Sequence, residues 1–244
     1  MPDNEALTDH WTCNTWQTQP GEQAAVDQAA YGSDWANDGW AAGDDEPPGD
    51  PMPSVDDRYQ SLLADWPQIP SVISSDKHID KHNTEAQKYW EEHWKPAPKE
   101  GKPPPEMQCA DYARYQMYVV GCDAQSSSTG YQLYRRDTLV NYDQTVDGLN
   151  YAKHTLTQGM PVFVGVWLIE WEPDKVFNRD KTTNHFVVIV GMGKDDRGAY
   201  LLYYDSLNDT AQENRFCLRS NLEVRFCDND GYSILAQIRK TSRR

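Results

Sequence analysis

Apolar residues recur at two different periods along this chain, and the change of period divides it. Between residues 54 and 158 they return every three or four positions; from 159 onward they come in short continuous runs. Tyr59, Leu62, Leu63 and Trp66, behind Ser54-Val-Asp-Asp57, predict a short amphipathic helix over 54–68 with an N-cap and an acidic first turn. Asn83 to Trp94 reads as a second helix capped by Asn83 or Thr84, with Tyr89, Trp90, His93 and Trp94 as packing residues. Lys95-Pro-Ala-Pro-Lys-Glu-Gly-Lys-Pro-Pro-Pro105 cannot be helical, because proline lacks an N–H and holds the residue before it extended. Ala110, Ala113, Met117 and Val120 then resume the helical period up to a stop at Gly121. Val146, Leu149, Ala152 and Leu156 predict a further helix over 145–158, with His154 on its polar side.

The runs that follow read as buried strands at about 161–169, 185–192, 198–205, 213–218, 223–227 and 231–239, with Asn229-Asp-Gly231 as a hairpin signal. Tyr131–Arg136 is a short strand or helix, and the basic tip Arg239–Arg244 is expected to fray. Helices first and an antiparallel sheet afterwards predict an α+β fold.

Composition adds a boundary. Residues 1–53 are polar, acidic and rich in Gly, Pro, Asp and Gln, and cannot build a core of their own, yet they hold Trp11, Trp16, Trp35 and Trp40. They are expected to form an extension, either solvated or docked on a domain spanning 54–244. The charge of −15 is concentrated there: residues 1–60 hold 13 acids and one base, leaving the rest close to neutral. Binding to a nucleic-acid backbone needs a basic surface, so that class is excluded. No run of about 18 apolar residues exists, so no membrane-spanning helix is expected. The N-terminus lacks the basic and apolar regions of a signal peptide, which predicts synthesis in a cytoplasm. Five cysteines argue against a dense disulfide scaffold; Cys217 and Cys227 flank a turn at Ser220-Asn221-Leu222, where they could face each other in an oxidising compartment, two free thiols being the expected state. No Cys-x-x-Cys pair occurs, and no metal or cofactor is expected.

The candidate chemistry follows from where three residues fall on these elements. Cys109 sits in the first turn of its helix, where unpaired N–H groups and the helix dipole favour a thiolate. His185 leads one buried strand, 76 residues later, and Asp205 ends the next, 20 residues beyond. A helix-borne cysteine facing a histidine and an aspartate on adjacent strands is the arrangement of thiolate–imidazolium catalysis. In it Cys109 attacks a carbonyl, His185 carries the proton to the leaving amine, and Asp205 orients the imidazole. Asn208 is the runner-up for that last role, and capping of the turn after Asp205 is the alternative for Asp205 itself.

Gln108-Cys109-Ala110 opening a helix, Gly159-x-Pro-Val before a strand, and Asn184-His-Phe-Val-Val-Ile-Val-Gly191 followed by a strand ending Tyr204-Asp205 resemble the papain-like superfamily, in particular its bacterial cell-wall amidases. The resemblance covers residues 106–206. It implies a papain-like fold and a cysteine hydrolase acting on peptidoglycan stem peptides, similar to amidase effectors of type VI secretion. It implies as partners a peptide substrate, an immunity protein and secretion machinery, with action in a target cell's periplasm. A protein-directed protease or deamidase toxin, or a non-catalytic binding module, are the alternatives. The N–H of Cys109 would form half of an oxyanion hole. The glutamine that the family places several residues before its cysteine is missing here; Gln108 is the nearest candidate, and Gln87 or Tyr89 are others. The loop 170–181 carries Trp171, Lys175 and Arg179, which are expected to contact an acidic peptide.

Overall fold

The computed structural model describes residues 52–97, 105–169, 180–208, 214–227 and 233–244. Most of the acidic extension, the loop carrying Trp171, Lys175 and Arg179, and the expected turn at Asn229–Gly231 lie outside the described residues. Four α-helices are described: α1 (Val55–Ala64), α2 (Thr84–His93), α3 (Cys109–Tyr118) and α4 (Tyr142–Thr157). Their starts follow from capping. Ser54 and Asp57 exchange hydrogen bonds in a capping box at α1. Asn83 Oδ1 accepts the Ala86 N–H at α2. Asn141 Oδ1 accepts the Gln144 N–H, so α4 begins three residues before the expected Thr145.

The strands are β1 (Cys122–Ala124), β2 (Tyr131–Gln132), β3 (Tyr134–Arg135), β4 (Leu139–Val140), β5 (Val162–Leu168), β6 (His185–Asp195), β7 (Gly198–Tyr204), β8 (Asn214–Leu218), β9 (Val224–Phe226), β10 (Ser233–Ile238) and β11 (Thr241–Arg243). Here the predicted α+β, papain-like layout of N-terminal helices followed by an antiparallel sheet is overturned. Strands β10, β5, β6, β7, β8 and β9 pair antiparallel in that order, and β9 returns to β10 through Ile234 opposite Arg225, closing a six-stranded barrel. Its remaining edge along β10 is taken by β2, with Gln132 opposite Gln237. Closure removes exposed sheet edges, which an open sheet would leave unpaired.

Alternation along the strands separates two sides. Val162, Val164, Val166, Val187, Ile189, Leu201, Tyr203, Phe216, Val224 and Leu235 form one cluster with Leu149 and Leu156 of α4 and Leu62 of α1. On β8 and β9 the intervening positions are Arg215, Cys217 and Arg225, so the cluster marks the barrel interior. Phe163, Phe186, Val188, Val190, Leu202 and Tyr204 face outward and are covered by Cys109, Ala113 and Met117 of α3. Residues 185–193 of β6 are buried throughout.

A bulge between Ile189 and Gly191 shifts the β6–β7 register, which returns Met192 to the interior cluster. At Gly191 a Cβ would lie 2.8 Å from the Ile69 carbonyl oxygen, so the segment entering from α1 can approach only a glycine there. That segment extends the sheet ahead of the start of β5: Ile69 and Met192 exchange backbone hydrogen bonds, and the Val72 N–H donates to the Val190 carbonyl at 2.7 Å.

Two further expectations are corrected. The C-terminal tip pairs as β11 with β1, Cys122 opposite Arg243, because the polar segment after Gly121 offers it an open strand edge. Cys217 and Cys227 are disulfide-bonded, the β8–β9 hairpin having brought their Cα atoms to 5.0 Å. Cys122 is the free cysteine among the described residues.

Two stability outcomes follow. Phe216→Ala, at 0% exposure in the interior, should cost about 3–5 kcal/mol in urea denaturation. Cys217→Ala with Cys227→Ala should cost about 2–3 kcal/mol, as expected for opening a crosslink of this sequence separation.

Candidate active site

The site is assembled at the start of β6 and the end of β7. Asn184 fixes the entry to β6 by taking part in strand pairing with its side chain: its Oδ1 accepts the Leu168 N–H at 2.7 Å and its Nδ2 donates to the Leu168 carbonyl at 2.9 Å. Thr183 beside it is bonded through its hydroxyl to Asp180 at 2.6 Å. His185 follows, opposite Val166 and fully buried.

The structure brings His185 and Asp205 into direct contact. His185 Nε2 lies 2.9 and 3.0 Å from the two carboxylate oxygens of Asp205. A carboxylate only accepts, so Nε2–H donates, and the lone pair of the neutral imidazole resides on Nδ1. Asp205 Oδ1 also accepts the Leu207 N–H at 3.0 Å, so the residue both orients the imidazole and caps its turn. Asn208 sits one turn further on and donates its backbone N–H to the Asp205 carbonyl; the contact to His185 belongs to Asp205.

Cys109 begins α3 and shares a packed cluster with Phe186, the strand neighbour of His185. It is 7% exposed and disulfide-bonded. The helix start is braced by Asp111, whose Oδ2 accepts the Gln108 N–H at 3.0 Å. Burial pushes the Asp111 carboxyl above its ordinary range, against the opposing pull of the Gln108 N–H, Arg114 and the Trp90 side chain.

The oxyanion candidates are placed elsewhere. Gln108 turns its side-chain amide back to the Glu106 carbonyl at 3.1 Å. Gln87 bonds the Lys81 carbonyl and the Tyr112 hydroxyl, and Tyr89 packs against His93, Trp94 and Tyr118. His93 Nδ1 meets the Tyr89 carbonyl, in keeping with a packing residue, and His154 is exposed beside Gln158.

Sequence reasoning passed over the residues that clasp this site. His78 Nε2 lies 3.1 Å from the Asp205 carbonyl, and its ring meets Tyr204 edge-on. The Lys81 N–H donates to the Ser206 carbonyl. On α3, Gln116 accepts the Ile79 N–H at 2.8 Å and donates to the Lys77 carbonyl at 2.7 Å. The segment 77–81 thus links the helix of Cys109 to the turn of Asp205. Only the polar Gln116 on an otherwise apolar helix face signalled it.

Two spaces adjoin α3. A crevice of about 10 Å³ between α3 and β6, lined by Ala113, Gln116, Phe186 and Ser206 among others, has room for roughly one water. A larger open cavity of about 360 Å³ is bordered by His93, Trp94, Arg114, Asp123, Ala124 and Arg244. The larger space is not at the His185–Asp205 pair. No group of three or more metal-ligating side chains occurs among the described residues.

No protein family, no curated protein and no solved structure matches the chain.

Asp111 yields a pH dependence. Its folded pKa lies above the unfolded value near 3.8, so protonation favours folding. The stability it contributes is fully present below that value and is lost as pH rises through the folded pKa. Asp111→Asn removes this titration. Unfolding free energies measured between about pH 4 and about pH 7 should show the variant gaining on the wild type as pH rises.

Proposed function

We propose that the protein is a thiol-dependent amidohydrolase that cleaves peptide or amide bonds, with the short stem peptides of bacterial cell wall as its substrate. The observation that carries the reading is the buried contact between His185 and Asp205, with Cys109 at the start of α3 in one packed cluster with Phe186, the strand neighbour of His185. In the reaction the Cys109 thiol gives its proton to His185 Nδ1 and the thiolate sulfur adds to the carbonyl carbon. His185 returns the proton to the leaving amine as the C–N bond breaks, and water then hydrolyses the thioester. Asp205 holds the tautomer whose lone pair is on Nδ1.

The substrate class and the role as an antibacterial effector acting in a rival cell's periplasm rest on the motif resemblance over 106–206, and the barrel adds nothing to them. Disulfides at Cys217–Cys227 and at Cys109 support an oxidising place of work. The same bond at Cys109 requires reduction before turnover, since a disulfide sulfur cannot act as the nucleophile. It also favours a second reading, a non-catalytic binding module in which Cys109 is a structural crosslink.

Digestion of purified sacculi, with mass analysis of the fragments and with and without a thiol reductant, separates the two. The reduced enzyme should release peptide fragments and the unreduced one should not. Cys109→Ala should abolish release; a tenth of wild-type turnover in that variant would remove Cys109 from the role. Asp205→Ala should lower kcat by roughly 10- to 10⁴-fold, as an orienting group is partly replaceable. A reduced Cys109 that alkylates with iodoacetamide only above about pH 8, with sacculi left intact, would point to the binding module.

A further inference from the structure

The open cavity of about 360 Å³ lies where four elements meet, and neither His185 nor Asp205 belongs to its wall. His93 and Trp94 come from the end of α2, Arg114 from α3, Asp123 and Ala124 from β1, and Arg244 from the residue after β11. Sites for small ligands have volumes of about 300–1,000 Å³, so the space suits a compact molecule.

Most of this wall is fixed by contacts of its own. The Trp94 ring is braced by Tyr89 and Tyr118, which meet it at 81° and 86°. His93 stacks on Tyr89 at 4.2 Å, and its Nδ1 meets the Tyr89 carbonyl. The Arg244 guanidinium lies 4.4 Å from the centroid of Tyr118, and its Nε–H donates to Asp123 Oδ2 at 2.8 Å. Its backbone N–H is bonded to the Gly121 carbonyl. Arg239, the buried arginine after β10, is not part of the wall. Its guanidinium lies over Phe163 and Phe186, at 5.1 and 4.8 Å, and its Nε–H donates to Gln237.

Arg114 is the exception. Its guanidinium makes no hydrogen bond or ion pair among the described residues. Asp111 precedes it by one turn of α3, but neither of its carboxylate oxygens bonds Arg114: Oδ2 accepts the Gln108 N–H, and Oδ1 is sealed away from solvent. Asp123 and Arg244 offset each other, so the wall carries one unmatched cation. A guanidinium fork matches a carboxylate, which accepts two parallel hydrogen bonds. Beside it Trp94 and Ala124 supply apolar surface, and an indole favours another ring as its neighbour.

We propose that this cavity binds a small organic anion, a single carboxylate carried on an aromatic ring. Arg114 holds the carboxylate and Trp94 contacts the ring. The site stands apart from the hydrolase reading and does not rest on it.

The probe is benzoate, with benzamide as its neutral counterpart and acetate as the anion without a ring. Each is added to the whole protein at constant pH and ionic strength. The Nε–Hε NMR signal of Arg114 and the indole N–H signal of Trp94 report on the site, identified by their loss in Arg114→Met and Trp94→Phe. Benzoate should shift both signals saturably with one dissociation constant. Benzamide should shift neither saturably, and acetate should bind more weakly than benzoate. Arg114→Met should weaken benzoate binding about tenfold, the loss expected for one charge-assisted contact. Arg114→Lys, which keeps the charge and loses the fork, should fall between the two. Absence of a saturable shift, an equal response to benzamide, or wild-type affinity in Arg114→Met would overturn the site. Acetate binding as tightly as benzoate would overturn the assigned ligand class.

Discussion

Burial of both sides of β6 is the constraint on which the rest of this structure depends. From His185 to Gly193 the strand has the barrel interior on one side and α3 on the other. A strand in that position has no solvent face to absorb a register error, since a slip of one residue exchanges its two sets of side chains. The polar residue at its leading end is therefore carried into an environment where a lone imidazole would be costly. Asp205, delivered by the neighbouring strand, meets that cost with a direct hydrogen bond.

The same strand organises what surrounds it. Ahead of the start of β5, the segment from Ile69 to Val72 takes over its place along β6, and this chain path continues to His78 and Lys81, which bond the turn of Asp205 and Ser206. Gln116 ties the path to α3. Helix, clasp and acid are thus tied together by the side chains of Gln116 and His78 meeting backbone groups.

Much of this was legible in the sequence, because it is local. Capping residues and periodicity locate α1, α2 and α3 to within a few residues, and continuous apolar runs locate the barrel strands. His185 and Asp205 were legible as polar residues at the ends of two such runs. What was not legible is non-local. Closure depends on the pairing of Ile234 with Arg225, and nothing in either short strand announces its partner. The clasp depends on His78, which sits in a polar stretch without periodicity. Arg239 was read as part of a frayed basic tip, because the pairing of β11 with β1 and the Phe163–Phe186 platform appear only once the barrel has closed. Cys217 and Cys227 stood at the correct spacing for a hairpin, but their oxidation is decided by surroundings and not by spacing.

Closure through so short a pairing gives the barrel a seam. One edge of β10 is fully engaged with β5, whereas the other is divided between a single pair to β9 and the two residues of β2. The disulfide reinforces the hairpin on one flank of that seam without crossing it, since both of its cysteines lie on β8 and the end of β9. Mechanical or thermal opening will accordingly begin as an unzipping between β9 and β10, with the stapled hairpin swinging away as a unit. The parted edges of β9 and β10 are unpaired strands of matching direction, and at high concentration each can be satisfied by the other edge of a second molecule. The line along which the barrel closes on itself is thus also the line along which two chains would exchange hairpins.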